Sequence, residues 1–325
     1  MSDYVKKKFA LAMVEDVRIY ECLVEELGLL GYEVDYFVAF SRRKLSRMNR
    51  AINSCLGFLS KKRKQYRLSR LKVKYEKKII NQIGNYDYGL VIRPDAFGEE
   101  FLRRLKKSAG VLVAYQWDGI ERYSGVCERI PLFDRFYVFD EEDEKKYPGT
   151  RKANNFYFGK VIEKLKNKDK EYDVYYLGSY DERIEEILNL CDELYDRGLK
   201  LCIKIPSSRK NRKTLRDYPF VDSRKIEYSY ALNLEMASRS EIILDFGHKD
   251  IHHGLSFRPF EALGFGMKCI TTNPTIKEQD FYLESNYLLY CDPSDLDGFI
   301  KRKLIKNPCG EKYSFSKWIE MYVLN

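Results

Sequence analysis

Histidine is scarce in this chain. Its 325 residues hold three, His248, His252 and His253, all inside one six-residue stretch. Imidazole chemistry is therefore confined to a single loop. Asp245 and Asp250 lie beside them, which invites a metal site. No other Cys or His cluster in the sequence completes a tetrahedral set, however, and ligand contact explains the loop better. No metal is expected. The eight cysteines are scattered without a Cys-x-x-Cys pair. They read as thiols, mostly buried, in a reducing compartment, not as a disulfide frame or a zinc site. No apolar run approaches the ~20 residues that a membrane span needs. Met1 to Lys8 leads straight into a short strand with no small-residue cleavage site, so no signal peptide is read. The first strand-to-helix turn lacks Gly-x-Gly, which removes a dinucleotide fingerprint there.

What is present is core material. Hydrophobic residues make up 44% and aromatics 14%, including 26 Tyr, so disorder is excluded and the length suits one large or two mid-sized domains. The net charge of +9 is unevenly placed. Arg42 to Lys78 holds fifteen Lys and Arg against one acid, Glu76, a local +14 that leaves −5 for the rest. Basicity so confined marks one surface and argues against a nucleic-acid coat. Within it Met48, Ala51, Ile52, Cys55, Leu56 and Leu59 share a helical face, and a second helical pattern runs through Leu68, Leu71, Tyr75, Ile79 and Ile83. Solvated helix faces over a core would explain this segment. So would a surface for anionic lipid or a lipid-linked pyrophosphate. Nucleic acid is the weaker alternative, because aromatic interleaving is thin and no recognition module shows.

The chain reads as alternating strands and helices. Phe9 to Val14 is a continuous apolar run, as in a buried parallel strand, with Glu15 and Asp16 directly after it. Tyr88–Ile92 ends in Arg93-Pro94-Asp95, and Gly110–Tyr115 ends in Gln116-Trp117-Asp118. Ligands of open α/β sheets bind beyond such strand ends. Asp118 is therefore the first candidate for a general base, with Asp16 and Asp95 behind it; each would also serve as an ordinary turn or cap residue. After a charged crossing at Lys146 to Asp169 the pattern restarts. A strand ends in Leu177-Gly178-Ser179, the next carries Lys204 near its end, and Glu241–Asp245 leads into the histidine loop. Gly178 would let a ligand approach the backbone. His253-Gly254-Leu255-Ser256-Phe257-Arg258-Pro259-Phe260-Glu261 reads as a polar loop and a helix opened by Pro259, where free N–H groups beside Arg258 suit a phosphate. Glu261 could accept from sugar hydroxyls.

The expected fold is α/β, two Rossmann-like domains with the active site in the cleft between them. Residues 1–155 would form the acceptor domain, with a basic helical insertion at 42–83. Residues 156–310 would form the donor domain, and the 311–325 tail would pack back on the first.

The second half resembles the donor domain of GT-B glycosyltransferases, and more narrowly the bacterial CgeB-like, capsule and lipopolysaccharide transferases. The residues that carry the likeness are Gly254 to Gly266 with Lys268-Cys269-Ile270-Thr271-Thr272-Asn273, supported by Tyr176-Leu177-Gly178-Ser179 and Ile242–Asp245. Tyr115–Asp118 and Phe133–Asp140 look similar in a less specific way. The resemblance implies a metal-independent transfer of sugar from a nucleotide-sugar donor to a hydroxyl of a surface polysaccharide or lipid-linked glycan. In the family's retaining members two glutamates stand eight positions apart. Glu261 matches the second, which holds the ribose, while His253 stands in place of the first and leaves the stereochemical outcome open. Gly178, Ser179, Lys204, His253, Gly254, Leu255, Ser256, Arg258 and Glu261 form the implied donor set, with Lys204 and Arg258 neutralising the leaving diphosphate. The expected location is cytoplasmic, peripheral on the inner face of the plasma membrane through 42–78, with no nucleic-acid partner. The rivals are a sugar-nucleotide epimerase of the same architecture and a non-catalytic protein whose basic helices hold membrane or nucleic acid.

Overall fold

The computed structural model describes residues 6–41, 45–166, 168–247 and 253–325, the side chains of 57–59 excepted. Arg42 and Arg43 of the basic segment, and His248, Asp250 and His252 of the histidine loop, lie outside the described residues. The chain forms two compact units. The first comprises Met1–Asp16, Leu27–Ala153 and Tyr322–Asn325, the second Val17–Glu26 and Asn154–Met321.

The first unit is built on β1 (Lys8–Met13), β2 (Glu33–Val38), β3 (Tyr86–Ile92), β4 (Ala109–Gln116), β5 (Arg135–Val138) and β6 (Thr150–Lys152). They pair in the order β2-β1-β3-β4-β5-β6, all parallel. Phe9 to Met13 are fully buried, as a strand covered on both faces must be. The helix α1 (Tyr20–Leu29) follows β1, and its first residues, through Glu26, belong to the other unit. Two consecutive helices, α2 (Arg47–Leu59) and α3 (Lys61–Ile80), fill the basic segment. Ser46 and Ser60 cap their starts. The apolar face expected on α2 is only partly covered: Met48 is 69% exposed and Ala51 and Cys55 are exposed too. The core of this unit, with Phe97, Phe101, Leu105, Phe136 and Val138, draws on α4 (Glu99–Ser108) instead. A short helix, α5 (Glu141–Lys146), precedes β6.

The second unit opens with α6 (Gly159–Leu165) and continues through β7 (Tyr172–Leu177), α7 (Ile184–Asp196), β8 (Leu201–Lys204), α8 (Asn211–Thr214) and β9 (Val221–Asp222). Then come α9 (Tyr230–Ser238), β10 (Ser240–Asp245), α10 (Phe257–Phe265), β11 (Lys268–Thr271), β12 (Tyr287–Leu289), α11 (Asp295–Lys301) and α12 (Phe315–Ile319). Its sheet runs β12-β11-β10-β7-β8-β9, again all parallel. Both sheets are therefore of the doubly wound α/β kind. Strand order reverses between β1 and β3 in one and between β7 and β10 in the other, and the crevice at such a reversal is where open sheets take ligands.

Three expectations change. The helix α10 starts at Phe257, not Pro259, because Ser256 caps it by accepting from the Arg258 N–H. The C-terminal tail divides: Phe315 and Trp318 pack on Phe156 in the second unit, while Tyr322 meets Tyr137 in the first. Of the cysteines, Cys22, Cys191, Cys202 and Cys269 are buried, but Cys55, Cys127 and Cys291 are exposed, and all eight are free thiols.

One helical glycine is held by packing. A Cβ on Gly264 would lie 2.5 Å from the Tyr157 ring and 3.0 Å from Ile162. Alanine adds about 1 kcal/mol of helix propensity, whereas overpacking costs about 1–3 kcal/mol. Gly264→Ala should therefore lower stability by roughly 1 kcal/mol, read as a drop in urea midpoint at unchanged slope. An unchanged or raised midpoint would show that Tyr157 yields freely.

Candidate functional site

In the second unit the reversal point is organised by a buried carboxylate. Asp245 ends β10 at 1% exposure. One oxygen accepts from Ser256 Oγ and the other from Thr271 Oγ1, both at 2.7 Å, and an Arg258 Nη1 lies 3.9 Å away. A carboxylate cannot stay buried and ionised without such partners. This one ties β10 to β11 and to the start of α10. The anion site expected at that helix start is thus already served: Ser256 caps the Arg258 N–H, Pro259 has none to offer, and Asp245 is the negative group beside it.

Two guanidiniums stand at the same strand ends. Arg258 donates to the Leu177 carbonyl at the end of β7 and lies over the Tyr176 ring, 5.3 Å from its centroid. Arg183, just before α7, grips Asp181 through two bonds of 3.0 and 2.6 Å and donates to the Phe246 carbonyl at 2.6 Å. The two are close enough for each to act on the other's charge, and both act on Tyr176. Sequence reading missed Arg183. The available signal was a lone cation in a strand-to-helix loop directly after Gly178-Ser179.

The other expected donor residues are placed as follows. Over Gly178 a Cβ would meet the Tyr176 hydroxyl at 2.1 Å, so the open space read there is filled by a buried phenol. Ser179 is exposed. Lys204 is paired with Asp222 at 3.1 Å, and Asp222 is shared with Arg224. His253 is exposed, and its carbonyl accepts from Thr275 at 2.6 Å and Asn273 at 3.3 Å. Gly254 and Leu255 are buried; their carbonyls accept from Asn273 and Asn155. Glu261, 2% exposed, accepts from the Tyr230 hydroxyl and from Asn233. Tyr175 in turn donates to Asn233 at 3.0 Å. Burial raises the Glu261 pKa, against the pull of Tyr230 and Arg258.

The first unit holds the candidate bases. Arg93, directly after β3, sits in the left-handed region at φ 61°, a strained position for a long side chain and one that clusters at functional sites. Its guanidinium forks onto both oxygens of Asp95 at 2.7 Å and reaches Asp118 at 2.9 Å. The Tyr123 ring lies against it, centroid 3.3 Å away. Burial works against that charge, but Asp95, Tyr123 and Asp118 outweigh it and raise the Arg93 pKa. Arg122 takes the second oxygen of Asp118 at 3.0 Å. Both expected bases are therefore engaged by arginine. Asp16, beyond β1, is exposed. Gln116, at the end of β4, is wholly buried with neither side-chain amide atom partnered, an arrangement that costs about 1–3 kcal/mol per group unless a bound molecule satisfies it.

Comparison with known proteins gives fold-level likeness only. No family model matches the sequence, and no curated protein matches it. Among solved structures the chain resembles an α,α-trehalose-phosphate synthase (UDP-forming) from Burkholderia vietnamiensis, with TM-score 0.53 and 9% identity over 97% of this chain and 96% of that one. Looser overlaps are Anabaena HepE, solved with UDP and glucose, at TM-score 0.46 and 9% identity over 97% and 95%, and an α1,3-fucosyltransferase at 0.41 and 12% over 93% and 78%. The two Rossmann-like units are those of the GT-B fold. The narrower CgeB-like grouping finds no support among these matches.

Two outcomes are expected. Asp245→Ala leaves the Ser256 and Thr271 hydroxyls without their acceptor and should cost about 2–4 kcal/mol in urea unfolding; a loss below about 0.5 kcal/mol would show that the node is dispensable. The folded state holds the Glu261 proton to higher pH than the unfolded chain. This contribution to stability is full below about pH 4.3 and is lost as pH rises through the folded value. Glu261→Gln should flatten the decline of stability with rising pH, and a pH profile parallel to wild type would contradict this.

Proposed function

We propose that the protein is a glycosyltransferase that moves a sugar from a nucleotide-sugar donor to a hydroxyl of a surface polysaccharide or lipid-linked glycan. The observation that carries this reading is the pair Arg183 and Arg258 at the β7/β10 reversal of a GT-B fold. Transfer leaves a nucleoside diphosphate (a monophosphate where the donor is CMP-linked), and negative charge grows on the oxygen that joined sugar and phosphate as that bond breaks. Fixed guanidiniums stabilise such charge without reorganising at the moment of reaction, and their forked N–H groups suit phosphate oxygens. Asp181 and Asp245 offset part of that positive charge. Arg258 and Arg183 are assigned to the diphosphate, Ser179 and His253, both exposed, to the donor's polar groups, and Lys204 to a supporting charge tempered by Asp222.

Glu261 is assigned an indirect role. Its carboxylate is occupied by Tyr230 and Asn233, and its charge acts on Arg258, so it steadies the guanidinium. A ribose reaching Glu261 would have to displace the Tyr230 hydroxyl. Among the acids at the strand ends of the first unit, Asp16 is the exposed one, while Asp95 and Asp118 each accept from Arg93. Asp16 is assigned to take the acceptor proton in an inverting transfer because it is exposed to solvent just beyond β1.

Calorimetry of the purified protein against UDP-, GDP-, dTDP- and CMP-linked sugars should find one family of donors that binds. Arg258→Ala and Arg183→Ala should each weaken that donor about 10–100-fold. No binding to any of the four would sink the reading, and an unchanged affinity in either variant would remove that arginine from the site.

A further inference from the structure

One face of α3 is left uncovered by the fold and is strongly charged. The helix carries ten Lys and Arg against one acid, Glu76. That acid is turned to the Gly98 N–H at 3.0 Å and to Lys72 at 3.7 Å. Leu68 and Ile79 are buried on the inner side, and the Tyr75 hydroxyl is tied to the Val38 carbonyl at 2.8 Å. On the outer side Lys62, Tyr66, Ser69, Arg70, Val73 and Lys77 are all exposed. At 100° per residue these six fall within an arc of about 100°, along a helix about 30 Å long. They form one continuous line in which cations alternate with uncovered apolar groups: Tyr66 is 65% exposed and Val73 52%. A shallow groove of about 360 Å³ runs beside Ser69, Arg70, Val73, Lys74 and Lys77. A second groove, of about 470 Å³, lies where Ile80 meets Glu99, Glu100, Arg103, Arg104 and Lys107 of α4; its charges are mixed, with Arg103 paired to Glu99, so the uniformly cationic surface is that of α3.

We propose that this face is a docking surface for an anionic lipid bilayer, with the Lys and Arg side chains meeting headgroup phosphates and Tyr66 and Val73 entering the interface. The chemistry favours lipid over nucleic acid. A bilayer attracts basic side chains and also accepts apolar ones at headgroup depth, and aromatic rings sit well there. A single-strand nucleic-acid surface instead needs successive aromatic platforms for bases, and α3 exposes one ring, that of Tyr66. The helix α2, which follows the same pattern of solvent-facing apolar groups, adds Met48 at 69% exposure. The inference deepens the transferase reading by giving it a surface on which a lipid-linked acceptor is met, and it rests on that reading only for its purpose.

The test is vesicle co-sedimentation of the full chain, with neither donor nor acceptor present, so that its failure is distinct from a failure of donor binding. Wild-type protein should sediment with phosphatidylcholine vesicles holding about one third phosphatidylglycerol and not with phosphatidylcholine alone. The variant Arg70→Glu/Lys74→Glu/Lys77→Glu should bind roughly ten-fold or more weakly. Tyr66→Ser/Val73→Ser, which leaves the charge intact, should bind a few-fold more weakly, and its remaining affinity should be more sensitive to salt. All five positions lie on the surface, so thermal melts of both variants should match wild type. Equal sedimentation of wild type and the charge-reversed variant overturns the proposal. So does tighter binding to a single-stranded RNA oligonucleotide than to the anionic vesicles, which would assign the face to nucleic acid.

Discussion

The second unit depends on a carboxylate that has been taken out of water. Asp245 sits at the end of a strand buried on both faces, and it is kept there by hydroxyls from β11 and from the start of α10, with a guanidinium nearby. Removing any one partner leaves a polar group stranded in a region where water cannot replace it. The node therefore sets the entry angle of α10, the position of Arg258 and the path of the backbone through Ser256 together. A site whose geometry is over-determined in this way needs little reorganisation when charge develops nearby.

The first unit repeats the theme with the signs exchanged. There a buried arginine is the centre and two carboxylates are the partners. Arg93 carries a left-handed backbone, an aromatic ring against its face and bonds to Asp95 and Asp118. Left-handed strain in a non-glycine residue costs of order 1–3 kcal/mol and persists only where the surroundings enforce it; the fork onto Asp95 and the bond to Asp118 supply that enforcement. Each sheet thus ends, at its reversal point, in a charged knot of three or four side chains. Two residues that the sequence offered as candidate bases are members of such a knot, with their carboxylate oxygens accepting from arginine.

Sequence patterning made much of the architecture legible. Fully apolar runs such as Phe9–Met13 and Ile242–Leu244 read as parallel strands covered on both sides, and the alternation with helices points to an α/β fold of two parallel sheets. The polar residues at strand ends followed from the same logic, because a buried strand can carry charge only where it emerges. What the pattern did not show was which partner each polar residue would find. Gly178 read as open space, yet the Tyr176 phenol two positions earlier folds over it. Lys204 read as a free cation, yet Asp222 on the neighbouring strand takes it. Arg183 was passed over because a single arginine in a loop has no periodicity to mark it. The tail was read as one element, and it splits because Phe315 and Trp318 have an aromatic pocket around Phe156 while Tyr322 has Tyr137.

By itself, then, the sequence determined the class of fold, the parallel sense of the strands, the strand ends at which chemistry can occur, and the concentration of positive charge on the α2–α3 stretch. All of these depend on local periodicity and on the identity of residues close together in the chain. Tertiary structure alone decided the partners of the buried polar groups: Asp245 with Ser256 and Thr271, Arg93 with Asp118, Glu261 with Tyr230, and Arg183 with the Phe246 carbonyl. Electrostatic energy in a desolvated site depends on distances of a few ångströms, here between groups that stand 11 to 63 residues apart in the chain. Those distances are set by how sheets and helices pack, and packing is not written in any one segment.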